Sequence, residues 1–374
     1  MKIAVNTRLL IKNKLDGIGW FTFETLKRIT RNHPEHEFFF LFDRRFSEEF
    51  IFSDNITPVI LNLPARHPVL WFLWFEFSVS RFMKKNKIDL FLSPDGYLSL
   101  SSNVKQIAVI HDINFVHRPK DLPIFARKYY NYFFPKYAEK ASEIATVSQY
   151  SKQDIVKTYK VPEDKINVVF NGCNEIYVPV SEAIKKDTKQ KYSQGKEYFI
   201  FIGTLHPRKN IARLFLAFEL FKKETHSDMK LVIVGTKMFM TKDIESAYSL
   251  SEFKEDIIFT GRLNPEDLHY VLASAFALTF VPLFEGFGIP LIEAMNCDVP
   301  VISSDTTSLP EVAGDAALFV NPFDVEEIKN KMIIITENEE LRKSLIEKGR
   351  KRKKMFSWDK TAEKLWTLID ESLK

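Results

Sequence analysis

Two glutamates with seven residues between them bracket a glycine-rich turn in the run Glu285-Gly-Phe-Gly-Ile-Pro-Leu-Ile-Glu293. The run follows an apolar strand pattern, Phe276 to Val281. It leads into a helix signal, with Pro290 in the first turn and then Leu291, Ile292, Ala294 and Met295. Gly286 and Gly288 let the backbone come close to a ligand. The amino end of the helix offers N–H groups and a positive dipole that favour an anion. Glu293 sits about one turn into that helix, where it cannot hold a phosphate but can accept hydrogen bonds from sugar hydroxyls. A turn suited to phosphate with a carboxylate at each end fits a sugar attached to a phosphate. The plain alternative is an ordinary glycine turn with two solvated glutamates.

Four other segments carry candidate chemistry at strand ends. Gly203-Thr204-Leu-His-Pro-Arg208-Lys209-Asn210 follows the strand pattern Tyr198–Ile202 and precedes a long amphipathic helix. There Arg208, a bidentate fork, and Lys209, a point charge, can neutralise a diphosphate. Asp16-Gly17-Ile-Gly19 opens a helix after the first strand. It lacks a third glycine, Thr22 holding that place, so it is a weak match to a dinucleotide fingerprint. His111-Asp112 ends the strand Gln106–Ile110, where a histidine can bond a sugar hydroxyl, act as a base or be merely structural. Thr260-Gly261-Arg262-Leu263 could edge a nucleobase, although its spacing says little more than a turn.

The absent patterns narrow the chemistry. The sequence has no Asp-x-Asp pair to clamp a metal diphosphate, no zinc spacing, no Gly-x-Ser-x-Gly elbow and no phosphate loop ending in Gly-Lys-Ser/Thr. Charge on a leaving diphosphate would then fall to Arg208, Lys209 and the helix tip. Cys173 and Cys297, the two cysteines, are too far apart in sequence to suggest a disulfide framework or a metal site. A net charge of +4 over 374 residues gives no reason to expect nucleic acid as a partner.

The elements that must position these residues alternate along the chain. Strand patterns fall at Lys2–Asn6, Phe38–Phe42, Pro58–Leu61, Asp89–Leu92, Gln106–Ile110, Glu143–Val147 and Asn167–Phe170. Helical periodicity fits Trp20–Arg31, Val69–Lys85, Phe125–Lys140 and Lys152–Lys160. After the Asn171-Gly172 turn and a lysine-rich stretch the alternation restarts. It brings strands at Tyr198–Ile202, Lys230–Val234, Ile257–Phe259, Phe276–Val281, Val299–Ser303 and Ala317–Val320. The expectation is an α/β protein of two Rossmann-like domains with parallel sheets facing a central cleft.

The amino terminus reads as a strand and not as a secretory signal, which points to the cytoplasm. No apolar run reaches the ~18 residues of a spanning helix. The nearest, Val69 to Met83 followed by Lys84, Lys85 and Lys87, is dense in aromatics. It suits either a helix packed between sheet and neighbours or one lying in a membrane interface.

Together these motifs resemble the two-domain GT-B retaining glycosyltransferases of family 4, over essentially the whole chain. The resemblance rests on Gly17-Ile-Gly19, His111-Asp112, Asn171-Gly172, Gly203-Thr204 with Arg208-Lys209-Asn210, the two glutamates, and the later run Ser308 to Pro322. It implies an acceptor-binding domain over 1–172 joined by a terminal helix, 357–374, that crosses back to it, and a nucleotide-sugar domain over 173–356. It implies that Arg208 and Lys209 bind the donor diphosphate, Glu293 the ribose, and Glu285 the transferred sugar. Gly286, Phe287 and Gly288 would give backbone N–H groups, His111 would contact the sugar, and Gly19 would approach the diphosphate. Gly203, Thr204, Arg262 and Leu263 would complete the donor site. The family uses neither metal nor cofactor, only a donor such as a GDP- or UDP-sugar. Retention without a covalent nucleophile implies a front-face reaction.

Asn6-Thr-Arg8-Leu-Leu followed by Gly-Ile-Gly resembles the bacterial mannosyltransferases of surface-polysaccharide assembly, which makes GDP-mannose the first expectation for the donor. A glycan or lipid-linked acceptor, and a peripheral contact with the inner face of the cell membrane, would suit the aromatic helix. The same fold could serve a sugar-nucleotide epimerase or hydrolase, or a non-catalytic partner subunit. Intact Glu285, Glu293, Arg208 and Lys209 speak against the last.

Overall fold

The computed structural model describes residues 1–236 and 241–374. The chain divides into two compact units, Met1–Gly172 with Ser357–Lys374, and Cys173–Phe356. Each is built on a wholly parallel sheet.

In the first unit the strands are β1 (Lys2–Asn6), β2 (Glu37–Phe42), β3 (Ile56–Ile60), β4 (Leu90–Ser93), β5 (Lys105–Val109), β6 (Glu143–Thr146) and β7 (Ile166–Val168), in the order β3-β2-β1-β4-β5-β6-β7. The order reverses between β1 and β4, and ligands of such sheets sit beyond the carboxyl ends at that reversal. Strand interiors such as Ile3-Ala4-Val5 and Leu90-Phe91-Leu92 are buried, as expected for strands covered on both faces. The terminal helix Trp358–Leu373 packs in this unit against the helix Gly17–Asn32, where Arg28 pairs with Asp359 at 2.5 Å and with Glu24 at 2.5 Å. Gly172 admits no side chain, since a Cβ there would lie 2.3 Å from the Trp358 nitrogen.

The helix expected over Val69–Lys85 is helical throughout but not uniform. It runs Pro68–Leu73, then a π-helical stretch Trp74–Val79, then Ser80–Asn86. The wider turn brings Trp74, Phe75 and Val79 into the core. It also aims the Glu76 carboxylate at the backbone N–H groups of Leu100 (2.6 Å) and Ser101 (2.9 Å). The other side stays in solvent: Val69, Phe72 and Phe77 are exposed. Among the described residues no helix is long and apolar enough to cross a membrane.

The second unit holds β8 (Tyr198–Ile202), β9 (Lys230–Val234), β10 (Ile257–Gly261), β11 (Ala277–Phe280), β12 (Val301–Ser304) and β13 (Ala317–Val320). Their order is β10-β9-β8-β11-β12-β13, with the reversal between β8 and β11. The central strand β8, Tyr-Phe-Ile-Phe-Ile, is buried along its whole length.

Candidate active site

Both strands at the reversal of the second sheet end in candidate residues. Beyond β8 the chain makes the turn Gly203–Leu205 and a short 3-10 turn, Pro207–Lys209, before the helix Ile211–Thr225. Asn210 joins them in a left-handed conformation (φ 63°), and its side-chain amide donates to the carbonyls of Val281 (3.0 Å) and Pro322 (2.6 Å). Asparagine tolerates this backbone and is buried here as a clamp between three segments.

Beyond β11 comes the glycine turn, and Glu285 turns back toward the basic pair. Its Oε1 accepts from Arg208 Nη1 at 2.6 Å and also from Lys209 Nζ. Arg208 donates to the Phe284 carbonyl at 3.2 Å, and the Lys209 ammonium lies 4.8 Å over the Phe280 ring. Burial works against ionising Glu285, which is 8% exposed, but the two cations outweigh it and hold the carboxyl below its ordinary value. The backbone around it is fixed too: Glu285 N–H donates to Thr307 Oγ1 at 3.3 Å, and Ser308 Oγ donates to the Glu285 carbonyl at 2.9 Å.

The helix Ile289–Asn296 begins at Gly288, which has φ 97° and provides no side-chain cap. Its amino end therefore keeps the anion-favouring character expected from sequence. A Cβ at Gly288 would sit 2.5 Å from Leu309 Cδ2. Phe287 is buried with its ring edge-on to Phe356 at 5.6 Å, so only its backbone can serve a ligand. Glu293 occupies the second turn of this helix and is partly exposed. Burial raises its pKa to about 7, while a hydrogen bond from Tyr177 pulls the other way.

Gly203, Gly235 and Gly261 meet at the ends of β8, β9 and β10. Gly203 N–H donates to Val234 O (2.9 Å) and Gly235 N–H to Gly261 O (3.0 Å). A Cβ on Gly235 would fall 1.9 Å from the Gly203 carbonyl oxygen, so that contact requires glycine. Thr204 is half-buried beside Gly203, Arg262 is exposed and Leu263 half-buried just past Gly261. The second unit thus gathers Arg208, Lys209 and Glu285 in direct contact, with Gly203 close by: a Cβ there would lie 3.6 Å from Lys209 Cε.

His111 and Gly19 belong to the first unit. His111 follows β5, its Nε2 is 2.9 Å from the Pro94 carbonyl, and its ring meets Phe21 edge-on at 4.9 Å. Gly19 lies in the first turn of the helix Gly17–Asn32, and its N–H is taken by the Asp16 carboxylate at 2.9 Å. A Cβ there would be close-packed, 3.1 Å from Leu15 Cδ2 and 3.3 Å from the Leu9 carbonyl.

Tyr177, Gly235 and Thr307 escaped the sequence reading. Of these, Gly235 alone carried a signal, a glycine directly after the five-residue apolar strand β9.

Residues 15–175 match the model of Glycosyltransferase Family 4, and residues 183–352 that of Glycosyl transferases group 1. O-antigen chain mannosyltransferase B of Escherichia coli is 29% identical over 370 residues, covering 96% of this chain and 97% of that one. Among solved structures, sucrose-phosphate synthase from Thermosynechococcus elongatus superposes with a TM-score of 0.80 at 16% identity, covering 99% of this chain and 98% of that one. Anabaena Alr3699/HepE, solved in complex with UDP and glucose, gives 0.76 at 15% identity, with 99% of each chain covered. Both solved neighbours have the same fold. With both halves of the architecture matched in order along the chain, the protein belongs to the GT-B glycosyltransferases of family 4.

Proposed function

We propose that this glycosyltransferase moves a mannosyl group from GDP-mannose to a glycan or lipid-linked acceptor of surface-polysaccharide synthesis, with retention of configuration. The observation that carries the reading is the convergence of Arg208 and Lys209 on Glu285, at the reversal of the second sheet and beside an uncapped helix end. Two cations held by one carboxylate are a pair of anion ligands with a replaceable partner. When a diphosphate enters, Arg208 and Lys209 exchange Glu285 for phosphate oxygens, and Glu285 turns to the sugar hydroxyls. As the bond from the anomeric carbon to the phosphate oxygen breaks, negative charge grows where these cations already stand. A well-placed preorganised donor is worth roughly 3–4 kcal/mol in such a step. The acceptor oxygen bonds to the same face of that carbon, and its proton passes to the leaving phosphate. Glu293 accepts from the ribose hydroxyls and His111 contacts the sugar. The mannosyl donor is supported by the full-length likeness to the Escherichia coli O-antigen enzyme.

A lipid-linked acceptor and a peripheral contact with an anionic membrane face are supported by the first unit's surface. Phe72 meets Phe77 at 6.2 Å and Phe133 at 5.7 Å, tying the Val69 side to the helix Ile124–Lys140, which exposes Ile124, Phe125 and Tyr132. Exposed Arg66, Arg81, Lys128 and Lys136 accompany these rings. Replacing Phe72 and Phe77 by Ser is expected to reduce sedimentation with anionic vesicles by about fivefold or more, at ~0.8 kcal/mol per buried methylene; equal sedimentation refutes the contact.

Lys209→Ala and Glu293→Ala should each lower transfer by about 100-fold or more while the melting profile stays cooperative. GDP-mannose should raise the melting temperature more than UDP- or ADP-sugars do. Wild-type turnover in both variants refutes the catalytic assignment, and a larger shift with a UDP-sugar refutes the donor.

A further inference from the structure

Arg8 has no part in the donor reading, yet it is a cation only 7% exposed, just beyond the carboxyl end of β1. Burying a guanidinium is costly unless its partners are well placed. Its Nε donates to Asp95 Oδ2 at 2.7 Å, and the guanidinium lies 4.2 Å over the Tyr97 ring, with Phe75 and Trp71 at 5.6 and 5.9 Å. Burial pulls the Arg8 pKa down, but Asp95 outweighs it and the guanidinium ends above its ordinary value. The second Asp95 oxygen accepts from Asn6 Nδ2 at 2.6 Å and from Ser93 Oγ at 3.1 Å. Asp95 is thereby locked into the turn Ser93–Gly96, which closes through Gly96 N–H to the Ser93 carbonyl at 3.1 Å.

Pro94 lies in that turn, and its carbonyl meets His111 Nε2 at 2.9 Å. A carbonyl oxygen only accepts, so Nε2 must carry the hydrogen. Among the described residues Nδ1 has no hydrogen-bond partner. Burial lowers the imidazole's pKa, against the pull of the Pro94 carbonyl and of Asp112, Asp95 and Asp16, which favours a neutral ring.

We infer that Arg8 is a positioning residue: through Asp95 and the Pro94 carbonyl it fixes His111 as the Nε2–H tautomer and presents Nδ1 as an acceptor to a hydroxyl of the transferred sugar. The inference rests on the reading of His111 as a sugar contact. Arg8 touches neither donor nor acceptor in this scheme; its effect is carried by the turn.

The test is 15N NMR of histidine-labelled full-length protein, with the His111 signals assigned by their loss in His111→Gln. The wild type should show a single Nε2–H ring. Asp95→Asn and Arg8→Met should show a mixture of tautomers and a kcat/KM lower by roughly 10- to 100-fold, the scale of a misplaced catalytic contact. Arg8→Lys, which keeps the charge, should recover most of both. Where Arg8→Met fails to fold, Asp95→Asn and Arg8→Lys carry the test. An unchanged Nε2–H ring and unchanged transfer in Asp95→Asn overturn the inference. A shifted tautomer in Asp95→Asn, with full transfer activity in both Asp95→Asn and His111→Gln, leaves the positioning intact and overturns the sugar contact instead.

Discussion

Glu293 gives the sharpest separation of stability from function, and Glu293→Gln is the perturbation that reads it. Burial raises this carboxyl from its ordinary 4.5 to about 7, with the Tyr177 hydroxyl as the hydrogen bond that opposes the rise. In the unfolded chain the carboxyl ionises near its ordinary value. Below pH 4.5 it is protonated in both states and costs nothing. As pH rises from there through 7, the unfolded state ionises first, and the folded state loses stability progressively. At about 1.4 kcal/mol for each tenfold in proton affinity, the loss above pH 7 is about 3 kcal/mol. Glutamine has the same shape and no charge to desolvate, so it escapes this loss. Melting of wild type and Glu293→Gln should therefore coincide near pH 4.5 and diverge above it, the variant melting roughly 6–12 °C higher at pH 8. GDP binding should weaken in the same variant, because an amide NH2 replaces one acceptor for the ribose. Melting differences that stay constant between pH 4.5 and 8, or a variant less stable at pH 8, would refute the account of Glu293 as a carboxylate desolvated for ligand.

Glu285→Gln tests the exchange of partners at the basic pair. With the carboxylate gone, Arg208 and Lys209 lose the anion that competes with a diphosphate, so inorganic pyrophosphate should bind on the order of tenfold more tightly by calorimetry. Transfer should nevertheless fall, since the sugar contact is lost; weaker pyrophosphate binding would show that Glu285 orders the cations rather than competing for them. The same triad makes the variant less stable, by about 3–5 kcal/mol, because two partly buried cations lose their partner, and denaturant unfolding should report that loss.

The parts of this molecule legible from sequence were those governed by local rules. Apolar runs such as β8 and β13, Tyr198–Ile202 and Ala317–Val320, fall where the pattern puts them; for β8 the reason is that a strand buried on both faces leaves a continuous apolar signature. Boundaries such as β3, Ile56–Ile60 against an expected Pro58–Leu61, slid by a residue or two where threonine and asparagine blurred the edge. The π-helical turn at Trp74–Val79 left no pattern, since its cause is non-local: Trp74, Phe75 and Val79 must all enter the core while Glu76 reaches Leu100 and Ser101. The basic pair, the glycine turn and Glu285 could be picked out because each lies within a few residues of a strand end, and Glu293 because it sits in the helix that the glycine turn opens. Nothing in their spacing revealed that Glu285 would hold both cations, which requires β8 and β11 to be neighbours although β9 and β10 separate them in sequence. Arg8 and Asp95 repeat that lesson across the other sheet, where β1 and β4 adjoin. Each sheet thus brings together, at its reversal, side chains that no local pattern links, and a cation there sits next to the carboxylate it will share with or yield to a ligand. Where that carboxylate is also needed by the substrate, as proposed for Glu285, the ligand-free ion pair holds the site ordered without occupying it permanently, which a cation left bare by the fold could not do.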